Sequence, residues 1–277
     1  MNYGKLYLIP TPIAEGAFGT FFPTVNADAI NETDYYIVEA LRTARRFLRY
    51  AGIKKPIDEL TFFELNEHTQ GVEINDFLQP CLEGKNVGVM SEAGVPCVAD
   101  PGHKAVEKAH QLGIEVVPLI GPSSLILALM GSGMNGQSFV FHGYLPSEQY
   151  DREKRLREIE AVAVKTGQTQ MFIETPYRNN RMTASICNVL QPATRVCIAA
   201  NLTAENALLK TQSVSKWRKY FEKEGNQLGK VPCIYLINRQ IKILRKNSGN
   251  NKKSVFLHRH FCNDKFIGWR NAEVVEW

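Results

Sequence analysis

Four short segments carry residue types suited to holding a small polar ligand. They are PTPIAEG at 10–16, SEAGVP at 91–96 followed by ADPG at 99–102, IGPSS at 120–124, and FIETPYR at 172–178. In the first, Pro10 and Pro12 fix a rigid turn, which serves either as a strand stop or as a ligand-facing loop. In the second, Ala93 and Gly94 let a ligand approach the backbone closely, while Glu92 and Asp100 face a cation or cap a helix. Ser123 and Ser124 either cap the apolar helix they open or donate to a carboxylate held at its N-terminus. In the fourth segment Tyr177 offers a stacking face and Arg178 a phosphate-seeking fork; the alternative is a strand end with a solvated arginine.

Other patterns lead nowhere. Gly131, Gly133 and Gly136 spell GxGxxG, but a helical pattern precedes them and an extended one follows, so they read as a helix end and a turn. No GxxxxGK[ST] loop exists. The six histidines form no HExxH or similar cluster, and no protein-bound metal is expected.

The four segments make sense only at the ends of strands. Apolar runs rich in Val, Ile, Phe and Tyr at 5–9, 35–38, 61–65, 86–90 and 115–119 predict strands, with helices at 42–50, 71–82 and 104–112 between them. This alternation predicts a mainly parallel sheet covered on both faces, whose ligands sit beyond the C-terminal strand ends. The pattern restarts with helices at 123–130, 151–164, 179–190 and 214–224 and strands at 138–143, 169–174, 196–200 and 233–238. A domain boundary is expected near 117–122, giving domains 1–117 and 118–239 and a tail 240–277.

Length and composition fit this organisation. The 277 residues are 44% hydrophobic and 22% charged, enough for two domain cores. The net charge of +5 is unevenly distributed: residues up to Arg239 hold 25 Lys+Arg against 25 Asp+Glu, and the last 38 hold 8 against 3. The basic tail is thus either a solvated appendage or an RNA-contacting arm. Six cysteines without a CxxC pair read as reduced thiols of a cytoplasmic protein. The most apolar stretch, 116–134, is broken by Pro118, Gly121 and Pro122, so no membrane span is expected.

In their order these loops resemble the tetrapyrrole (corrin/porphyrin) methylase superfamily, class III methyltransferases, from Leu6 to about Asn238. Within it the likeness is greatest to the branch that methylates a cytidine ribose 2'-oxygen in bacterial small-subunit ribosomal RNA. TPIAE at 11–15 is similar to the branch's TPIGN, EALRTA at 39–44 to EDTR-x-T, and SEAGVP at 91–96 to SDAGTP. PLIGPSS at 118–124 is similar to PIPGPSA, and IETPYR at 173–178 to YESPHR. Two segments depart from the pattern: 39–44 lacks the Asp and second Thr, and ANLTA at 200–204 lacks the terminal charges of RELTK.

The resemblance implies two α/β domains, a mainly parallel first sheet, a mixed second sheet, and S-adenosylmethionine bound between the domains. It implies cofactor contacts from Pro10, Pro12, Ser91, Glu92, Ala93, Gly94, Val95, Ser123, Ser124, Leu202 and Pro232. Substrate contacts fall to Arg42, Tyr177 and Arg178, with Arg45 and Arg46 either joining them or forming a solvated helix face. Methyl transfer to a ribose hydroxyl gains from a general base, for which Glu39, Glu92 and Glu174 are candidates. Ribosomal RNA or the small ribosomal subunit is the implied partner, and a homodimer the implied assembly. The alternatives are a methyltransferase of a tetrapyrrole-like or other non-RNA acceptor, and a catalytically silent RNA-binding or ribosome-assembly factor.

Overall fold

The computed structural model describes residues 3–14, 23–65, 69, 71–225 and 228–239. The basic tail, with Cys262, lies outside them, as do Glu15 and Gly16 of the first loop.

Five short apolar runs form β1 (Leu6–Ile9), β2 (Tyr35–Val38), β3 (Thr61–Glu64), β4 (Val87–Met90) and β5 (Val116–Pro118). They build one wholly parallel sheet in the order β3-β2-β4-β1-β5. Alternate strand residues serve opposite faces, as the two-residue period requires. Tyr7, Ile9, Tyr36 and Val38 pack with Ala29, Ile30, Phe47 and Leu48 of α1 (Thr24–Asn31) and α2 (Leu41–Tyr50). Leu6, Ile37, Val87 and Val89 pack with Ile74, Leu78, Ala105 and Ala109 of α3 (Gly71–Leu82) and α4 (His103–Leu112). Strands β2 and β4 are covered on both sides, which is why they read as unbroken apolar runs.

The second sheet joins β6 (Phe139–Tyr144), β7 (Thr169–Glu174), β8 (Arg195–Ala200), β9 (Leu208–Ser213) and β10 (Cys233–Asn238) in the order β6-β7-β10-β8-β9. Only β6 and β7 pair in parallel; the other pairings are antiparallel. One face carries α6 (Gln149–Thr166), α7 (Asn179–Val189) and α8 (Val214–Glu224), around the fully buried Trp217, whose indole N–H donates to the Val196 carbonyl at 2.9 Å. The other face is covered by α5 (Ser124–Ser132). Helix α5 ends at Gly133 in the left-handed region (φ 63°), so the GxGxxG string is a helix end, as its context predicts.

Two elements are absent from the sequence reading. Helix α1 has too few apolar residues to announce a face, and β9 is an edge strand whose LLKTQS run offers little apolar alternation. Among the described residues no helix is long and apolar enough to cross a membrane. Cys81, Cys97, Cys187, Cys197 and Cys233 are free thiols.

Candidate active site

All five strands of the first sheet end on one edge, and the loops after β1, β4 and β5 meet there. Thr11 and Gly94 exchange backbone hydrogen bonds across the first two loops, N–H to carbonyl at 2.9 and 3.1 Å. The third loop closes on both. A Cβ on Gly121 would stand 2.1 Å from Cβ of Pro10, and one on Gly94 would stand 3.1 Å from the Pro122 carbonyl oxygen. Gly94 also has φ 79°, which favours glycine. Cys97 and Ala99 occupy the same left-handed region at 68° and 64°, at a cost of about 1–2 kcal/mol each.

Beneath this loop, and against the second sheet, lies a cleft of about 490 Å³, within the usual range for a small-molecule site. Apolar walls come from Ile13, Val95, Leu125, Phe141, Leu202 and Ile234. The loop after β8 reaches it through left-handed Asn201 (φ 50°), whose N–H donates to the Pro232 carbonyl at 2.9 Å and so sets Leu202 and Pro232 in the wall.

Four carboxylates line the cleft, each in a different environment. Glu39, just beyond β2, accepts the Glu92 backbone N–H on Oε2 at 3.0 Å. Burial pushes its carboxyl above the ordinary range, opposed by that hydrogen bond and reinforced by Asp100 and Glu92. Asp100 is also pushed up by burial, an effect moderated by the nearby backbone N–H groups of Gly102, Cys97 and Val98. Its Oδ1 accepts from Gly102 N–H at 2.7 Å, whereas Oδ2 is buried with no hydrogen-bond partner among the described residues. Glu92 is exposed. Glu174, with its side chain 1% exposed, is held through Oε1, which accepts from Thr175 N–H and from Arg178 Nε and Nη2, each at 2.7 Å.

The structure thus brings Ser91, Glu92, Ala93, Gly94, Val95, Ser123, Ser124, Leu202 and Pro232 to one cleft, together with Glu39 and Glu174. Pro10 and Pro12 do not line it. Pro10 is buried against Gly121, and Pro12 lines an adjoining hollow with Thr43 and Phe47. Ser123 caps α5, its Oγ accepting the Ile126 N–H at a long 3.5 Å. Arg178 is held by Glu174 and keeps about a quarter of its side chain exposed. Tyr177 is 79% exposed outside the cleft, with Lys230 Nζ 5.4 Å from its ring centre. Arg42 lines a separate groove that shares Glu39 with the cleft. Tyr144 is a lining residue that sequence reasoning missed; burial raises its hydroxyl, with Glu174 adding to the shift. Its only signal was its place at the end of the β6 run.

A parallel sheet and a mixed sheet enclosing a cleft at the first sheet's C-terminal edge define a methylase architecture. The chain belongs to the Tetrapyrrole (Corrin/Porphyrin) Methylases, whose family profile matches residues 25–216. The solved methyltransferase CobJ superposes with a TM-score of 0.56 at 16% identity, covering 86% of this chain and 97% of that one. The cobalt precorrin-4 methyltransferase CbiF gives 0.52 at 12%, covering 84% and 94%; both likenesses concern the fold.

Among proteins named Ribosomal RNA small subunit methyltransferase I, that of Vibrio cholerae is 32% identical over 198 residues, 72% of this chain and 65% of that one. The Pseudomonas aeruginosa protein is 27% identical over 86% and 79% of the two chains, and the Thermotoga maritima protein 32% over 83% and 97%. The aligned part of this chain therefore spans just under two thirds of the Vibrio cholerae relative.

Proposed function

We propose that this chain is an S-adenosylmethionine-dependent methyltransferase that modifies a ribose 2'-oxygen of small-subunit ribosomal RNA. The observation that carries the reading is the convergence of the loops after β1, β4 and β5 on one cleft, with a buried carboxylate oxygen of Asp100 left unpartnered there. These residues fit the cofactor. Gly94 admits it close to the backbone, the apolar walls accept an adenine ring, and Asp100 Oδ2 is an acceptor awaiting a hydroxyl or amine donor. Ser91, Glu92, Ala93, Val95, Ser123, Ser124, Leu202 and Pro232 would complete the contact. When bound, S-adenosylmethionine supplies an electrophilic methyl group on a sulfonium.

Glu39 is the preferred general base. Its Oε2 is held by the Glu92 N–H, while Oε1 has no hydrogen bond to a described residue and is open to take a proton from the acceptor hydroxyl. Glu174 is held by Arg178, and Glu92 is exposed to solvent. Residues 1–117 and 118–239 act in this reading as two domains flanking the cleft. A homodimer is supported by α5, which is apolar nearly all round yet leaves Met130 73% and Ile126 46% exposed. The free cysteines agree with a cytoplasmic location.

The decisive experiment uses methyl-labelled cofactor and small ribosomal subunits from a strain lacking the protein. Label in a ribose of the subunit RNA is expected. Label found only in a small-molecule acceptor would favour the tetrapyrrole-like reading, and RNA binding without transfer the silent one. Calorimetry with S-adenosylhomocysteine tests the cofactor separately; no heat at millimolar ligand sinks that part.

A further inference from the structure

Helix α2 carries Arg42, Arg45, Arg46 and Arg49, an i, i+3, i+4, i+7 set that lies on one helix face, opposite the buried Ala44, Phe47 and Leu48. Such an arrangement works against helix stability in two respects. Its 42/46 and 45/49 pairs are like charges one turn apart, which repel. Arg42 lies in the first turn, where the helix dipole disfavours a cation, and that turn has neither an acidic residue nor a side-chain cap from Ala40.

Most of the other described arginines differ from Arg42 and Arg49, the exposed Arg181 aside. Arg152, Arg155, Arg178 and Arg218 are each engaged by a serine, a carboxylate or a backbone carbonyl. Arg42 and Arg49 are exposed and have no ion pair or hydrogen bond to a described residue. Arg45 is held with its guanidinium 5.4 Å from the centre of the Phe62 ring, and its buried Nε has no hydrogen-bond partner among the described residues. All four arginines line one open groove of about 910 Å³, whose acidic members are Glu39 and Glu64. Glu39 also lines the cleft, so the groove begins at the cleft's edge.

We propose that this face of α2 is a phosphate rail that seats the backbone of a single-stranded RNA segment and delivers its acceptor nucleotide to the Glu39 end. The inference rests on the RNA reading given under Proposed function and adds the surface that reads the polymer. From Arg42 to Arg49 the helix rises about 10 Å, enough for two or three consecutive phosphates. Guanidinium groups suit this role because each offers a planar fork to phosphate oxygens. The body's charge is balanced overall, so its attraction for a polyanion must come from such local concentration.

The test measures binding of a fluorescein-labelled single-stranded RNA by anisotropy across a series of KCl concentrations, using the full chain. The double variant Arg42→Gln/Arg49→Gln is compared with Arg155→Gln/Arg157→Gln, which removes the same charge from α6. The rail variant is expected to lose about tenfold in affinity, and its log K against log salt slope to flatten by roughly 1.4, near 0.7 for each lost phosphate contact. The α6 variant keeps both values, and Arg42→Lys/Arg49→Lys keeps most of the slope. S-adenosylhomocysteine affinity stays the same in all, which separates lost RNA contact from lost folding. An unchanged slope in the rail variant, or an equal fall in the α6 variant, overturns the rail while methyl transfer to the subunit still upholds the function. Absence of both RNA binding and transfer in the unaltered chain overturns both.

Discussion

Glu39 and Glu174 are chemically identical and lie on the same cleft, yet their neighbours give them different environments. Glu174 is buried and its Oε1 takes three N–H donors, two of them from Arg178; Glu39 is less buried and accepts a single backbone N–H. Glu39→Gln is expected to lower kcat by at least about a hundredfold with S-adenosylhomocysteine affinity little changed, as steady-state rates and calorimetry will read. Burial holds the Glu39 carboxyl above its ordinary pKa, so the acid limb of the pH–rate profile should lie above the ordinary carboxylate range. The same shift has a sign in stability. A carboxyl that binds its proton more tightly when folded contributes stability that is full below its unfolded pKa and is lost as pH rises through the folded value. Glu39→Gln should therefore melt at a higher temperature than the unaltered chain at neutral pH, and the gain should vanish in acid. At Glu174 the matter is pairing: Arg178→Met strands a buried carboxylate and should cost about 3 kcal/mol in urea unfolding, the low end for a buried pair because Arg178 is a quarter exposed. Adding Glu174→Gln should recover much of that loss.

Strands and helices that bury a whole face were legible to within a residue or two, because apolar period and element type agree there. Strands β2, β7 and β10 and helices α3 and α8 have the bounds their patterns predict. Edge strand β9 and helix α1 escaped because each has a short or weakly apolar face whose partner is distant in sequence. The loops that make the site were legible as loops, and their mutual closeness was not. Gly121 illustrates why, since its need for glycine comes from Pro10, over a hundred residues earlier. Gly121→Ala should destabilise the protein by about 1–3 kcal/mol and weaken S-adenosylhomocysteine binding by moving the loops apart. Gly136→Ala, where an added Cβ meets nothing within 4 Å, should stay within about 0.5 kcal/mol. Chemical unfolding of both variants checks the pair.

At the scale of the whole chain, charge divides near residue 239. The balanced body contains the cleft and the α2 arginines, and the surplus of 8 Lys+Arg over 3 Asp+Glu lies in residues 240–277. Deleting those residues should leave S-adenosylhomocysteine affinity unchanged while weakening RNA binding and flattening its salt dependence. An RNA affinity and salt slope equal to those of the full chain would make the tail's charge incidental.

The amino-acid sequence by itself determined the α/β class, the parallel first sheet, and the ordered loops through which the methylase family is recognised. These follow from local propensities and from apolar spacing within a few residues. Only the tertiary structure decided that Glu174 holds Arg178, that Glu39 accepts the Glu92 N–H, and that Pro10 packs against Gly121. Those outcomes depend on which side chains meet across the two sheets. Burial and pairing are set by neighbours distant in sequence, which no spacing along the chain records.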